Sequence, residues 1–313
     1  MARYLVARVG AAALTLFLAS VLVFGSLLLV PGDPAQAILG LEASPQALQA
    51  LHRQLGLDQP PLRRYVSWLA RVARGDLGES IRYGRPVAEL IRARLSLTVP
   101  LVALSMAVGG VFALGFGTLA ARFRDGPADW LVRSVALAGA VLPTFWVGLM
   151  LIVFFSVRLG LLPSGGFSGW GNVGQALRDL ALPVLTLSLA RMALLTRMVR
   201  GSLLEVLEQP FVRTARAKGL SERRVLARHA LKNALIPVVT VLGLEFAQLL
   251  TAGVVVETVF ALPGLGQLAL TAIEARDYPM VQGIVLVLAG FIVLLHLLVD
   301  LLYALIDPRV TFA

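Results

Sequence analysis

Long uncharged apolar runs alternate with charged segments along this chain of 313 residues. Four uncharged runs of 24, 27, 24 and 22 residues cover residues 9–32, 95–121, 134–157 and 278–299. Residues 180–199 form a fifth apolar run, which contains Arg191 and Arg197. Residues 234–256 form a sixth, which contains Glu245. Because about 20 helical residues cross roughly 30 Å of hydrocarbon, the pattern predicts an all-α integral membrane protein with six transmembrane helices.

The first run shares features with a cleaved signal peptide, because Arg3 and Arg8 precede it and the small residues of 35–37 follow it. A signal peptide has an apolar core of only about 7 to 15 residues. Because this run is longer and further spans follow it, we expect an uncleaved first span.

The polar segment between the first two spans carries helix signals of its own. Ser44 followed by Pro45 is typical of a helix start, and Gly56 stands where that helix would end. Pro86 begins another helix that is predicted to run directly into the second span. The simplest interpretation of the segment is a connecting subdomain without a binding site.

Between these two helices, residues 61–74 are predicted to form an amphipathic helix. The residues expected to be buried are Leu62, Tyr65 and Leu69. Arg63 and Arg71 are expected to face water or headgroups.

The composition agrees with a membrane protein. Hydrophobic residues make up 58% of the chain and charged residues 15%, whereas soluble domains have about 45–50% and about 25%. These values exclude an ordinary soluble enzyme and a disordered chain. The chain has no cysteine, which excludes disulfides, iron–sulfur clusters and thiolate zinc sites. The net charge is +10, but only two of the 28 basic residues are lysine, so we interpret the charge as an arginine bias.

The positions of the basic residues predict the orientation of the spans. With the N-terminus inside, the termini and short connecting segments place 14 basic residues inside and three outside. Short cytoplasmic segments are enriched in Lys and Arg, whereas long segments such as residues 33–94 translocate regardless of charge. We therefore expect a multi-pass protein of the cytoplasmic membrane with both termini in the cytoplasm.

The segment between the fourth and fifth spans, residues 201–233, has the form of a helix-turn-helix. A helix that ends at Lys218 is closed by Gly219, and Ser221 is the predicted N-cap of a second basic helix. DNA recognition is one interpretation of this form. It fails because the hairpin is joined to the membrane at both ends, and a recognition helix needs access to the groove.

This hairpin resembles the cytoplasmic loop of the inner-membrane permeases of binding-protein-dependent ABC importers. Gly219 stands at the position of the family's motif glycine, and Pro237 lies where the chain enters the membrane. The family motif opens with an acidic residue and two alanines, and this chain has at those positions Arg213, Thr214 and Ala215. The run over residues 214–221 resembles the version found in the dipeptide, oligopeptide and nickel permeases.

Other short motifs resemble the same branch along essentially the whole chain. They are Pro-Gly-Asp-Pro at 31–34, Gly-Asp-Leu-Gly-Glu-Ser at 75–80, Glu-Thr-Val-Phe at 257–260, Pro-Gly-Leu-Gly at 263–266, Arg-Asp-Tyr-Pro at 276–279 and the chain end at 300–309. The long segment after the first span resembles that of the first of the two permeases in such systems.

The resemblance implies the type I permease fold of ABC importers, with an extracytoplasmic helical insertion after the first span. Residues 1–95 then comprise the first span and this insertion. Residues 96–313 comprise a five-helix core with the cytoplasmic coupling loop 201–233. The implied partners are a second permease in a heterodimer, two ATP-binding cassette subunits, an extracytoplasmic solute-binding protein and the lipid bilayer; no nucleic acid is expected.

The resemblance also implies that partner ATPases hydrolyse ATP and bind the helix of this loop. The coupling residues expected on this basis are Ala215, Arg216, Ala217, Lys218, Gly219, Leu220, Ser221 and Glu222. ATP and magnesium are expected on those ATPases, and no catalytic residue, metal or cofactor is expected in this chain. A P-loop needs a lysine between a glycine and a hydroxyl residue, whereas Lys218 precedes Gly219 and Lys232 precedes Asn233.

Two other classes of function compete with an importer subunit. An intramembrane hydrolase is disfavoured because the three histidines are scattered and neither Gly-x-Ser-x-Gly nor His-Glu-x-x-His occurs. An ion-coupled secondary carrier would use Glu245 and Asp300 as relay groups. Such a carrier should transport as one polypeptide under an ion gradient, whereas an importer permease should be inert until its partners and ATP are supplied. The resemblance implies di- or oligopeptides as the solutes, with nickel or glutathione as alternatives.

Charged residues within the spans are Arg191, Glu245, Arg197 and Asp300. Arg191 and Glu245 each lie eleven residues from the start of their runs, so at 1.5 Å per residue both lie about 16 Å from opposite faces. An isolated charge at this depth costs at least ~2.5 kcal/mol, so we expect these two to pair. Arg197 and Asp300 are expected together near the inner face. The pair is either a structural clamp, the simpler interpretation, or part of the solute path.

Overall fold

The computed structural model describes residues 2–29, 35–36 and 44–306 of the chain. In order, its helices are α1 (Ala2–Leu28), α2 (Pro45–Leu55), α3 (Pro61–Val72), α4 (Val87–Arg122), α5 (Pro127–Val141), α6 (Thr144–Leu151), α7 (Val173–Leu207), α8 (Pro210–Ala217), α9 (Glu222–Arg224), α10 (Leu231–Val259), α11 (Leu265–Glu274) and α12 (Tyr278–Ile306). Two π-helical segments, Ile152–Arg158 and Val225–Ala230, extend α6 and join α9 to α10. The motif at 31–34 and the chain from residue 307 lie outside the described residues.

Among the described residues, five helices are long and apolar enough to cross a membrane. They are Arg8–Leu28, Val87–Arg122, Val173–Leu207, Val241–Val259 and Tyr278–Val299. The third predicted span differs, because α5 and the helix Thr144–Arg158 meet at 106°. Leu142 precedes Pro143 and has the extended conformation φ −70°, ψ 130°, since a residue before proline is disfavoured in a helix. The prediction of a continuous helix over residues 134–157 is therefore wrong.

The bent pair nevertheless passes along the length of α7. Asp129, near the start of α5, pairs with Arg200 in the last turns of α7. A Cβ built on Gly148 in α6 would lie 3.4 Å from Thr186, in the first half of α7. The bent pair therefore runs antiparallel to α7, and the described helices give six spans when its two arms are counted as one.

Contacts divide the chain into two compact units. The first contains the described residues up to Ser96 together with Gln267–Leu298, and the second contains Leu97–Gly266 together with the described end of the chain from Val299. The two units divide the chain after Ser96 and after Gly266, and the predicted division at residue 95 stays a prediction.

Two local contacts join residues 267–298 to the rest of the first unit. Asp277, at the start of α12, is fully buried and accepts hydrogen bonds from the Ser80 hydroxyl and the Arg82 backbone N–H. A Cβ on Gly283 in α12 would lie 2.5 Å from Val87, so only glycine permits this approach of α12 to α4. Two of the short sequence motifs, at 75–80 and 276–279, are thus joined by a hydrogen bond.

The helices of the polar segment have the predicted ends. The Ser44 hydroxyl accepts a hydrogen bond from the Ala47 N–H at 3.2 Å, and Gly56 ends α2 with φ 64°. α4 begins directly after Pro86 and continues for 36 residues without interruption. These predictions are confirmed because each signal acts within one helical turn.

The buried face of α3 differs in one residue from the prediction. Tyr65 and Leu69 pack with α1 around a buried cluster of Val23, Phe24 and Trp68, whereas Leu62 is 74% exposed. Arg63 and Arg71 are exposed as expected. Trp68 and Leu69 lie three and four residues after Tyr65, on the helical face that meets α1, and Leu62 lies to its side. The expected burial of Leu62 is therefore wrong.

In the second unit, α7 packs against α5, α6 and α10. Small residues let α4 approach it closely, since a Cβ on Gly117 would lie 2.7 Å from Val199 and one on Gly109 would lie 3.3 Å from the Ser188 carbonyl oxygen. The Ser188 hydroxyl donates to the Ser105 carbonyl at 2.9 Å. Close packing of small and hydroxyl residues is how membrane helices associate without a hydrophobic driving force.

Candidate functional sites: the hairpin between α7 and α10, and the intramembrane charges

The hairpin consists of α8, a turn at Gly219 and α9. The Gly219 N–H donates to the Arg216 carbonyl at 2.9 Å, and the Leu220 N–H donates to the Ala215 carbonyl at 3.4 Å. These two bonds form a Schellman motif, which requires a left-handed residue, and Gly219 has φ 77°. The predicted helix, break and second helix are confirmed. Ser221 has the backbone of an N-cap, but its side chain makes no capping hydrogen bond.

A buried cluster fixes the hairpin to the end of α7. Val212, Ala215 and Val225 are buried together, and the partly buried residues packed against them are Val206, Leu207 and Leu220. Of the eight expected coupling residues, Ala215 and Leu220 therefore belong to the interior of the hairpin. The other six are exposed. A partner protein can reach those six directly, whereas Ala215 and Leu220 only support them.

Arg216 and Glu222 form a two-point ion pair across the turn. Nε of Arg216 lies 2.7 Å from Oε1 of Glu222, and Nη2 lies 3.2 Å from Oε2. The hydrogen bonds favour both charged forms, so they raise the pKa of Arg216 and lower the pKa of Glu222. The pair is charged at neutral pH and ties α8 to α9. Sequence reasoning did not find it, because the two residues meet only when the turn at Gly219 has formed.

Charged groups from α4 and α7 extend the surface of the hairpin. A cavity of about 280 Å³ lies beside it and is lined by Ala121, Arg122, Arg124, Leu204, Leu207, Glu208, Arg216, Glu222 and Leu226. Arg124 donates to Glu208 at 3.1 Å within this lining. The ends of two membrane helices and the hairpin therefore share one surface with charges of both signs, which suits a protein partner.

The predicted pair of Arg191 and Glu245 is present. Nη1 of Arg191 lies 2.9 Å from Oε2 of Glu245, with 26% of the Arg191 side chain and 10% of the Glu245 side chain exposed. The contact is close but not aligned as a hydrogen bond. Among the described residues, neither Nε of Arg191 nor Oε2 of Glu245 has a hydrogen-bond partner. Arg197 is exposed, and the side chain of Asp300 lies outside the described residues, so their pairing stays a prediction.

A second buried pair joins Arg200 to Asp129. Nε and Nη2 of Arg200 each donate to one oxygen of Asp129 at 2.7 Å. The Asp125 N–H also donates to this carboxylate at 3.0 Å, and Asp129 is fully buried. Sequence reasoning missed the pair because Asp129 precedes the uncharged run of the third span. The pair can be found in the sequence by comparing acidic and basic residues that lie at the same end of neighbouring spans.

Glu257, part of a short motif, is hydrogen-bonded to α4 and to the start of α11. Its Oε1 accepts from the Thr98 hydroxyl at 2.6 Å, and its Oε2 accepts from the Gly266 N–H at 2.7 Å. The Leu265 N–H donates to the Thr98 hydroxyl at 2.9 Å. A Cβ on Gly264 would overlap the carboxyl carbon of Glu257. The Pro-Gly-Leu-Gly motif therefore encloses a buried carboxylate and has a structural role.

The long apolar helices and the exposed hairpin define a membrane protein with several spans. The comparison of sequences identifies its family. Residues 113–312 match the family described as binding-protein-dependent transport system inner membrane component, and residues 1–102 match the N-terminal family of the same membrane components. The chain belongs to this family and is a permease subunit of an ABC importer. Such a permease acts with an ATPase and a solute-binding protein.

Individual relatives are similar to this chain over its full length. The chain is 41% identical over 312 residues to the glutathione transport system permease protein GsiC of Escherichia coli O6:H1, covering 100% of both chains. It is 41% identical over 319 residues to a putative peptide transport system permease protein of Brucella abortus, again covering 100% of both. These relatives are permease subunits and not enzymes.

A solved structure shares the fold. An inward-facing structure of the MetNI methionine ABC transporter has a TM-score of 0.56 and 20% identity, over 70% of this chain and 96% of that chain. This likeness supports the permease fold.

Proposed function

We propose that this chain forms the solute path with a second, related permease and is driven by two ATP-binding cassette subunits that bind the hairpin at its six exposed coupling residues. The ATPases carry ATP and magnesium, and an extracytoplasmic binding protein delivers the solute. Both termini and the hairpin lie in the cytoplasm, as the distribution of basic residues indicates.

The observation that supports this proposal is the construction of the hairpin. Its exposed residues stand on the buried cluster of Val212, Ala215 and Val225, and the Arg216–Glu222 pair spans its turn. Displacement of α8 by an ATPase is therefore passed to α7 through this cluster, and to α10 through the π-helical segment Val225–Ala230. Rigid elements that move as bodies are the usual means of such coupling.

The proposed solutes are di- or oligopeptides. The two relatives named above, one for glutathione and one for peptides, are equally identical to this chain. Glutathione is itself a tripeptide, so both names indicate small peptides, with glutathione as the specific second candidate. Nickel, the other alternative from the resemblance, has no support from these two relatives.

Reconstitution tests the function. The complete transporter in proteoliposomes should take up trialanine when ATP and the binding protein are supplied, and this chain alone should not take it up under an ion gradient. Uptake by the chain alone would show a secondary carrier instead. Calorimetry on the binding protein encoded beside this gene, with trialanine, glutathione and nickel chloride, should give its tightest binding with a peptide. Tightest binding of nickel would contradict the proposed solute.

A further inference from the structure

Two arginines of α7 hold their acids in different ways. Arg200 donates two hydrogen bonds to Asp129, one to each oxygen. Arg191 makes one unaligned contact with Glu245, and its buried Nε and the acid's buried Oε2 have no hydrogen-bond partner among the described residues. One pair is saturated with hydrogen bonds, and the other is not.

An unsaturated buried ion pair is a poor clamp. A buried donor or acceptor without a partner destabilises the protein, and the effect is larger for charged groups. Buried ion pairs are stabilising only with good geometry and additional hydrogen bonds. The Arg200–Asp129 pair meets this condition, and the Arg191–Glu245 pair does not. The second pair therefore keeps hydrogen-bonding capacity that a ligand can use, because a guanidinium has five N–H donors and a carboxylate about four acceptor sites.

We propose that Arg191 and Glu245 form a transient binding site for a zwitterionic solute as it crosses the membrane. Arg191 binds a carboxylate of the solute, and Glu245 binds its ammonium group. The two residues then exchange their mutual contact for contacts with the solute and pair again after it has passed. This inference rests on the proposed function as an importer and narrows its substrate class.

The chemistry of the site selects among the candidate solutes. Peptides with free ends and glutathione carry both a carboxylate and an ammonium group, so they match both members of the pair. A nickel ion matches Glu245 but is repelled by Arg191. Intramembrane charges that face the interior commonly mark the path of a substrate, and a quarter of the Arg191 side chain, 26%, is exposed in this chain.

Uptake by the complete transporter separates a binding site from a clamp. The variants Arg191→Gln and Glu245→Gln remove one charge each and keep similar side-chain sizes. Because hydrogen bonds to charged groups are strong, trialanine uptake per assembled complex should fall about tenfold or more, beyond any loss of yield from the charge left unpaired. The matched control is Asp129→Asn, which should lower the yield and leave uptake per complex unchanged. Lower yield with unchanged uptake per complex in Glu245→Gln would overturn the proposal.

A thiol reporter tests the site without any solute. The chain has no cysteine, so Leu194→Cys gives a single thiol in this subunit. Leu194 is half-buried and lies three residues beyond Arg191, on the same side of α7. In the complete transporter this thiol should react with both a cationic and an anionic methanethiosulfonate. Adding Glu245→Gln should shift its preference about threefold toward the anionic reagent. A thiol that is inert to both reagents with and without ATP would overturn the binding site, whereas failure of wild-type uptake would count only against the proposed function.

Discussion

The Arg216 guanidinium and the Glu222 carboxylate face each other across the left-handed turn at Gly219, joined by hydrogen bonds of 2.7 and 3.2 Å. This pair closes the hairpin on its exposed side, and the cluster around Val225 closes it on its buried side. The two contacts together join α8 to α9 and to the end of α7, and a coupling element needs such connections.

Breaking this pair should weaken coupling more than stability. Both side chains are largely exposed, 41% for Arg216 and 64% for Glu222, and exposed ion pairs contribute little to stability. Glu222→Gln should therefore leave the subunit yield unchanged and lower ATP-driven uptake. The exchange of the two residues, Arg216→Glu with Glu222→Arg, should recover part of the uptake. No recovery, with a normal yield, would show that the side chains bind the ATPase individually.

The same pair predicts how coupling depends on pH. The pKa of Glu222 is lowered in the folded protein, so its stabilising contribution is present above the ordinary pKa of a glutamate and is lost as pH falls through the lowered pKa. Arg216 has a raised pKa and stays charged throughout. Uptake in Glu222→Gln and in wild type should therefore keep a constant ratio from about pH 6 to pH 8, far above the pKa of a carboxylate. A ratio that changes within this range would contradict the lowered pKa of Glu222.

The enclosure of Glu257 predicts a strong effect of a small substitution. Gly264→Ala places a methyl group against the carboxyl carbon of Glu257, closer than van der Waals contact allows, and overpacking of this kind costs about 1–3 kcal/mol. The variant should show a lower yield and a lower melting temperature in detergent. Gly253→Ala in α10 is the matched control, because its added methyl group meets nothing within 4 Å. Equal melting temperatures of the two variants would contradict the described loop.

The side of the membrane on which α3 lies is open to direct measurement. Arg63 is exposed on α3, and the native chain has no cysteine, so Arg63→Cys gives a single accessible thiol. A membrane-impermeant maleimide should label it in intact spheroplasts. Lys218→Cys, on the exposed part of the hairpin, should be labelled only after lysis. The reverse pattern would overturn the proposed orientation of every span.

Much of the fold is predictable because its signals are local or periodic. Ser44 and Gly56 act within one turn of the helix that they end, and the uncharged runs reveal the spans. The bend at Pro143 was not predicted, because proline is frequent in membrane helices and does not by itself indicate a bend. The burial of Trp68 depends on where α1 meets α3, which the pattern of α3 alone does not contain.

The contacts within the candidate sites were likewise predictable only in part. Depth within the membrane predicted the Arg191–Glu245 pair, because an unpaired charge at that level is unfavourable. The pairs Arg200–Asp129 and Arg216–Glu222 were missed. The first depends on the packing of α5 against α7, and the second depends on a turn that brings residues six positions apart together.

Substitution of Gly219 tests most directly the central claim that the hairpin transmits the action of the ATPases. Its φ of 77° disfavours a β-branched residue, whereas asparagine tolerates this region, and a Cβ there meets nothing within 4 Å. In the complete transporter, Gly219→Val should therefore lose ATP-driven uptake while the subunit still inserts, and Gly219→Asn should keep most of it. Wild-type uptake by Gly219→Val would contradict the account.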